Sequence, residues 1–171
     1  VTDVLDDTDA VKVVLTADAT VVEGAPVTYT ATLYQADGTT PFTNNPYNEA
    51  ITVNLAGGGS ITIAANAVSG TTTKTAGSDD YIIDQGASGE LSETISSVSL
   101  ATGTPESLTA VATAAVTDIT DDTDAVKVVL TANTSVVEGG VVTYTATLYQ
   151  ANGTTPLTSN PYNEDITVNL T

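Results

Sequence analysis

Residues Val1–Ala56 recur as Val116–Thr171, so that Asp3 reappears as Asp118, and 44 of the 56 aligned positions are identical. A chain that repeats itself at a period of 115 residues is built from copies of one domain, because a stretch of that length is enough for its own core. The second copy stops at Leu170-Thr171, after what would be its third strand. The sequence therefore reads as one full repeat and the opening of the next, an internal piece of a longer array. The expected division is a linker at 1–9, a complete repeat at 10–117, an acidic linker at 118–124 and the first three strands of another repeat at 125–171.

Within the repeat, Val27, Tyr29, Ala31 and Leu33 alternate with Thr28, Thr30 and Thr32. That period of two predicts a half-buried strand. Similar runs at 10–16, 51–55, 61–65, 71–75, 91–100 and 108–116 bring the expected number to seven, separated by Gly, Pro, Asn, Asp and Ser clusters. In 91–100 the phase shifts around Ser96-Ser97, because Leu91 and Ile95 cannot share a face with Val98 and Leu100 without a bulge. Abundant Thr and Val favour strands over helices. Seven short strands with regular turns predict an all-β, seven-stranded immunoglobulin-like β-sandwich in tandem repeat. The cysteine pair and tryptophan of antibody domains are absent.

Composition limits the chemistry. The 171 residues include no His, Cys, Met or Trp. That leaves no imidazole base, thiol nucleophile or N/S-type zinc, haem or iron–sulfur ligands, and the chain is expected not to be an enzyme. With 21 acids against Lys12, Lys74 and Lys127, the net charge of -18 repels nucleic acid and anionic lipid. Neither nucleic acid nor direct membrane contact is expected. Hydrophobic residues at 41% exclude a disordered acidic tail. No apolar run approaches the ~18 residues of a membrane span, and no signal peptide opens the chain.

The acids fall in loops. If the seven strands run alternately down and up, the first, third and fifth loops share one end with the chain exit. That end gathers Glu23, Asp79, Asp80 and Asp84, with Asp118 and Asp121 from the exit. The other end gathers the long loop 36–49 beside Asp3, Asp6, Asp7 and Asp9. In a tandem array the linker, with Asp118, Asp121, Asp122 and Asp124, lies between the acid-rich base of one repeat and the top of the next, which carries Asn163, Glu164 and Asp165. Two carboxylates ~4 Å apart repel by about 4 kcal/mol at an effective dielectric of ~20, so several acids converging without a cation need neutralising. Calcium, which takes 6–8 oxygen ligands in flexible geometry, is the expected partner of these oxygens. The alternative is that the acids are a solvated surface that keeps the protein soluble. An EF-hand is excluded, since Val126 and Lys127 stand where a ligand and the turn glycine belong.

Other motifs have plainer readings. Gly57-Gly58-Gly59-Ser60 predicts a tight turn, since no helix or lysine follows to make a phosphate cradle. Sequons at Asn133, Asn152 and Asn169 are expected by chance in a Thr-rich chain. Tyr47 and Tyr162, in Asn-Pro-Tyr-Asn, are expected to anchor a Pro-bent loop rather than to stack on sugars. Asp79 and Asp80, adjacent on one loop, do not make a glycosidase pair.

The segments Asp-x-x-Asp-Asp-Thr-Asp, Val-Val-Glu-Gly, Val-Thr-Tyr-Thr-Ala-Thr-Leu, Ile-Thr-Val-Asn-Leu and Ser-Asp-Asp-Tyr resemble the extender repeats of giant RTX-type bacterial surface adhesins, over essentially the whole chain. Val-Val-Glu-Gly and Ser-Asp-Asp-Tyr are also similar to Calx-beta domains. The resemblance implies immunoglobulin-like domains strung between a membrane anchor and distal adhesive domains, with calcium at the junctions, and by position it nominates Glu23, Asp79, Asp80, Asp118 and Asp121. The long loop 36–49 departs from the Calx-beta pattern, and the RTX glycine-aspartate nonapeptides are absent. The expected function is that of a structural extender on the bacterial cell surface, projecting an adhesive domain for attachment and biofilm formation, with neighbouring repeats as its partners. Two rivals remain: a ligand-binding adhesin module using Tyr47 and its loop, and a filament or surface-layer subunit completed by neighbouring chains.

Overall fold

The structure, a computed structural model, describes residues 3, 9–76, 90–121 and 124–171. It forms two compact units, one of the described residues up to Thr120 and one from Asp121 to Thr171. Every regular element among the described residues is a strand.

The first unit contains β1 (Ala10–Ala17), β2 (Thr20–Val22), β3 (Pro26–Tyr34), β4 (Ile51–Leu55), β5 (Ser60–Ile63), β6 (Ser69–Thr75), β7 (Glu90–Glu93), β8 (Ile95–Leu100), β9 (Ser107–Ala110) and β10 (Ala115–Thr120). Three sheets result, in the orders β6-β3-β1-β9, β5-β4-β8 and β2-β10-β7. β3 is antiparallel to β1, with Leu15 opposite Ala31, and to β6, with Val27 opposite Lys74. The period of two works as expected: Val27, Tyr29, Ala31 and Leu33 are buried and the intervening threonines half-exposed. Val11, Val13 and Leu15 of β1 join them, and Ile51, Val53, Leu55, Ile61 and Ile63 of β4 and β5 complete one hydrophobic cluster. Each such aliphatic side chain contributes about 1.5–3 kcal/mol by leaving water. The tight turn between β4 and β5 places Gly58 and Gly59 at φ of 86° and 83°, where a side chain would be strained.

The expected seven runs become ten strands because two of them change sheet and one further strand lies outside all seven. The run 10–16 is β1, and β2, which no expected run covers, follows it in a different sheet. The run 91–100 divides at Thr94, β7 pairing with β10 and β8 with β4. Asn54 faces Ser97 and Leu55 faces Ile95, leaving Ser96 as the extra residue of a bulge where the phase shift is expected. The run 108–116 divides into β9, parallel to β1, and β10, parallel to β2. β10 reaches Thr120, three residues past the boundary expected at 117.

In the second unit, β11 (Lys127–Ala132) and β12 (Tyr144–Tyr149) form a hairpin in the register of β1 and β3. The third expected strand, around 166–170, does not form. Its counterpart β4 is held between β5 and β8, whose sequences occur once in the chain. For the same reason Val128 and Leu130 are 44% and 46% exposed, where Val13 and Leu15 are 0% and 4%.

Candidate functional site

The duplication sorts the acids by role. Asp18 accepts the Thr28 N–H at 2.8 Å, and its counterpart Asn133 accepts the Thr143 N–H at 2.9 Å. Asp37 accepts the N–H groups of Thr39 and Thr40 at 2.8 Å, and Asn152 accepts those of Thr154 and Thr155 at 2.8 and 2.9 Å. An amide replaces the carboxylate and still accepts the same backbone N–H groups, so these two acids serve as turn caps. The Thr40 hydroxyl, with the two N–H groups, holds the Asp37 carboxyl far below the usual carboxylate range. Asp37→Asn is therefore expected to leave the thermal midpoint at pH 7 within about 2 °C of the parent, measured by circular dichroism. The acids at positions 3, 6, 7, 9, 23 and 49, in contrast, are acids in both copies.

At the exit end, β10 runs parallel to β2, pairing Asp118 with Thr20 and Thr120 with Val22. The Glu23 N–H then donates to the Thr120 carbonyl at 2.9 Å. Gly24 N–H donates to the Ala76 carbonyl at 2.9 Å and Ala76 N–H to Ala25 at 2.8 Å. The turn carrying Glu23, the start of the segment leading to Asp79 and the exit strand carrying Asp118 are thus fastened together by backbone bonds. Asp118 is also directly opposite Glu90 on β7. Like charges facing across a ladder repel, and strand register alone identifies Glu90, which no local motif marks. Asp79, Asp80, Asp84 and Asp122 lie outside the described residues, and Asp121 and Asp124 belong to the second unit. Among the described residues no group of three or more acids is placed to hold a metal.

An ion pair lies inside the first unit. Glu93, 5% exposed, receives the Lys74 ammonium on Oε2 and the N–H groups of Gly57 and Thr94 on Oε1 at 2.9 and 3.1 Å. Burial pushes its carboxyl up, but these donors outweigh it and hold it below the usual range. The Lys74 ammonium also sits 5.9 Å from the centre of the Tyr29 ring. Gly57 has no side chain because a Cβ there would lie 2.6 Å from Glu93 Oε2. The sequence offered one hint, a lysine alone in the polar run of β6.

At the opposite end, the long loop is built around buried Asn45. Its amide donates to the carbonyls of Glu49 and Ala64 at 2.9 and 3.2 Å, and its oxygen accepts the Tyr47 N–H at 3.0 Å. Tyr47 donates its hydroxyl to the Ser107 carbonyl at 3.2 Å, the loop-anchoring role expected of it. Beside it opens a cavity of 570 Å³ lined by Phe42, Pro46, Tyr47 and Pro105, with Asp9 and Glu106 at its wall. Asp9 N–H donates to Glu106 at 2.8 Å. Burial, then the charges of Glu106 and Asp9, push the Tyr47 phenol up.

Duplicated all-β domains of this kind define a repeat-built protein. Residues 9–123 match the LapA domain, and the chain belongs to that family, which takes its name from a large bacterial surface adhesin. The match covers one full period of the duplication. No curated protein matches the chain significantly.

Proposed function

We propose that this chain is an extender segment of a bacterial cell-surface adhesin, an immunoglobulin-like β-sandwich repeat that holds a distal adhesive domain away from the cell for attachment and biofilm formation, without catalysis of its own. The observation that carries the reading is the backbone fastening of the turn at Glu23, Ala76 after β6 and the exit strand, in a repeat whose linker acids recur unchanged. A spacer tolerates such duplication, whereas a dedicated binding site needs only one copy. Membership of an adhesin family supports the extracellular location.

The same reading assigns calcium to the junction, with Glu23, Asp79, Asp80, Asp118, Asp121, Asp122 and Asp124 as its oxygen donors and Glu90 as an addition from strand register. The donor set is all oxygen, as a hard divalent cation requires. Calcium would neutralise the facing acids, and its binding free energy would appear as rigidity and folding stability. Extracellular modules bind in the ~0.1–1 mM range, so the joint would be stiff outside the cell and loose in the cytosol.

Small-angle scattering on a chain of several repeats tests this. With calcium the maximum dimension is expected to grow nearly linearly with repeat number, and with chelator more slowly, as flexible joints dictate. The thermal midpoint is expected to fall on chelation in the parent and to be insensitive in the Asp118→Asn, Asp121→Asn double variant. If chelation changes neither dimension nor midpoint, the acids are solvating decoration and calcium has no place at the joint.

A further inference from the structure

We infer that the cavity beside Tyr47 is a binding site for a guanidinium group, an arginine side chain displayed by a partner protein, held between the Asp9 and Glu106 carboxylates and the Phe42 and Tyr47 rings. The inference goes beyond the extender role and does not depend on calcium at the junction.

The volume of 570 Å³ lies within the ~300–1,000 Å³ of small-ligand pockets. What selects the ligand is the hydrogen-bonding character of the wall. Pro46 and Pro105 have no N–H to offer. The N–H of Asp9 is spent on Glu106, that of Gln35 on Thr40, that of Phe42 on Leu33 and that of Tyr47 on Asn45, while the Tyr47 hydroxyl is spent on Ser107. Two carboxylates, those of Asp9 and Glu106, remain as acceptors in the wall. Two carboxylates beside two aromatic rings suit a ligand that is cationic, planar and all donor. A guanidinium offers five N–H groups and no acceptor, and its plane stacks on aromatic faces. A sugar hydroxyl needs donors as well as acceptors, which here come chiefly from the side chains of Gln35 and Thr104. Anions are repelled by the net charge of -18. Asp9, Gln35, Pro46 and Tyr47 recur as Asp124, Gln150, Pro161 and Tyr162, whereas Phe42 is replaced by Leu157, so the second copy keeps one of the two rings.

The test is an amide NMR titration of the whole chain with Nα-acetyl-arginine amide, in chelator and low salt. The amides of Phe42, Tyr47 and Glu106 are expected to shift with an apparent Kd of about 1–10 mM, the weak end of the affinity scale. Binding should weaken at least about fivefold at 0.15 M salt. Glu106→Gln keeps an acceptor for the Asp9 N–H and should weaken binding about fivefold or more; Asp9→Asn, whose own N–H bond is from the backbone, should do the same and stands in if the first variant does not fold. The uncharged isostere Nα-acetyl-citrulline amide should not bind. Equal binding of citrulline, shifts of the same amides by a neutral hexose, indifference to both substitutions, or displacement of the arginine probe by about 1 mM calcium would each overturn the assignment.

Discussion

Lys74→Met is expected to destabilise the first unit by about 3–5 kcal/mol at pH 7, the cost of leaving a buried carboxylate without its counter-charge. The two partners are not equivalent. Glu93 is enclosed, whereas the Lys74 side chain keeps 27% of its surface in water. Without Glu93's charge, the ammonium can extend towards solvent along its aliphatic stem. Glu93→Gln, which retains an oxygen for the Gly57 and Thr94 N–H groups, should therefore cost only about 1–2 kcal/mol. The double variant should be less destabilised than the sum, since the worst species, a bare buried carboxylate, is absent from it.

The pH dependence gives an independent check. Glu93 has a folded pKa lowered below its unfolded value of about 4.3, so its contribution is complete above that pH and is lost as pH falls through the lower folded value. In Lys74→Met the ammonium's pull is gone while burial, the largest influence on this carboxyl, remains, so the carboxyl is expected to rise. The variant's deficit should then shrink as pH falls from 7 to about 4, because protonation removes the unpaired charge. Chemical denaturation at both pH values measures this; a deficit that is constant with pH would show that the loss is packing alone.

Gly70→Ala is expected to cost about 3 kcal/mol, at the upper end for overpacking. A Cβ on Gly70 would lie 2.3 Å from the Thr62 carbonyl oxygen and 2.9 Å from its carbon. Those atoms are backbone of β5, in a different sheet from β6, and cannot swing aside as a side chain would. Strand propensity predicts the opposite sign, since Ala replacing Gly inside an ordinary strand gains about 0.5–1 kcal/mol. A fall of more than about 10 °C in the thermal midpoint therefore supports close sheet approach at Gly70, and a rise would refute it.

Position-by-position alternation made β3 legible because a strand with one wet face writes its burial directly into the sequence. The bulge at Ser96 was legible for the same reason, as a break in phase. What alternation does not encode is which sheet a strand joins, so the crossings at Thr94 and between β9 and β10 were not foreseen. Lys74 with Glu93, 19 residues apart and in different sheets, and Asp118 opposite Glu90 in the ladder of β10 and β7, are likewise products of tertiary pairing that no local pattern encodes. The acids in loops all looked alike in sequence; hydrogen bonds separate the caps, Asp18 and Asp37, from the carboxylates at the exit.

The long loop folds the same way in both units. Asn160 donates to the Glu164 carbonyl at 2.6 Å and accepts the Tyr162 N–H at 3.1 Å, and Asn163 adopts φ of 53° where Asn48 adopts 51°. It does so although the strand that follows in the first unit is missing from the second. The β1–β3 hairpin and its loop are therefore specified by nearby residues, before any contact with β7 to β10. During synthesis such a segment can take shape as soon as it leaves the ribosome, while the strands that complete the apolar core are still to come. In an array of near-identical neighbours, the chief hazard is that a late strand finds the wrong hairpin. Early local order narrows that choice to a set of preformed acceptors, and leaves nearness along the chain to decide among them.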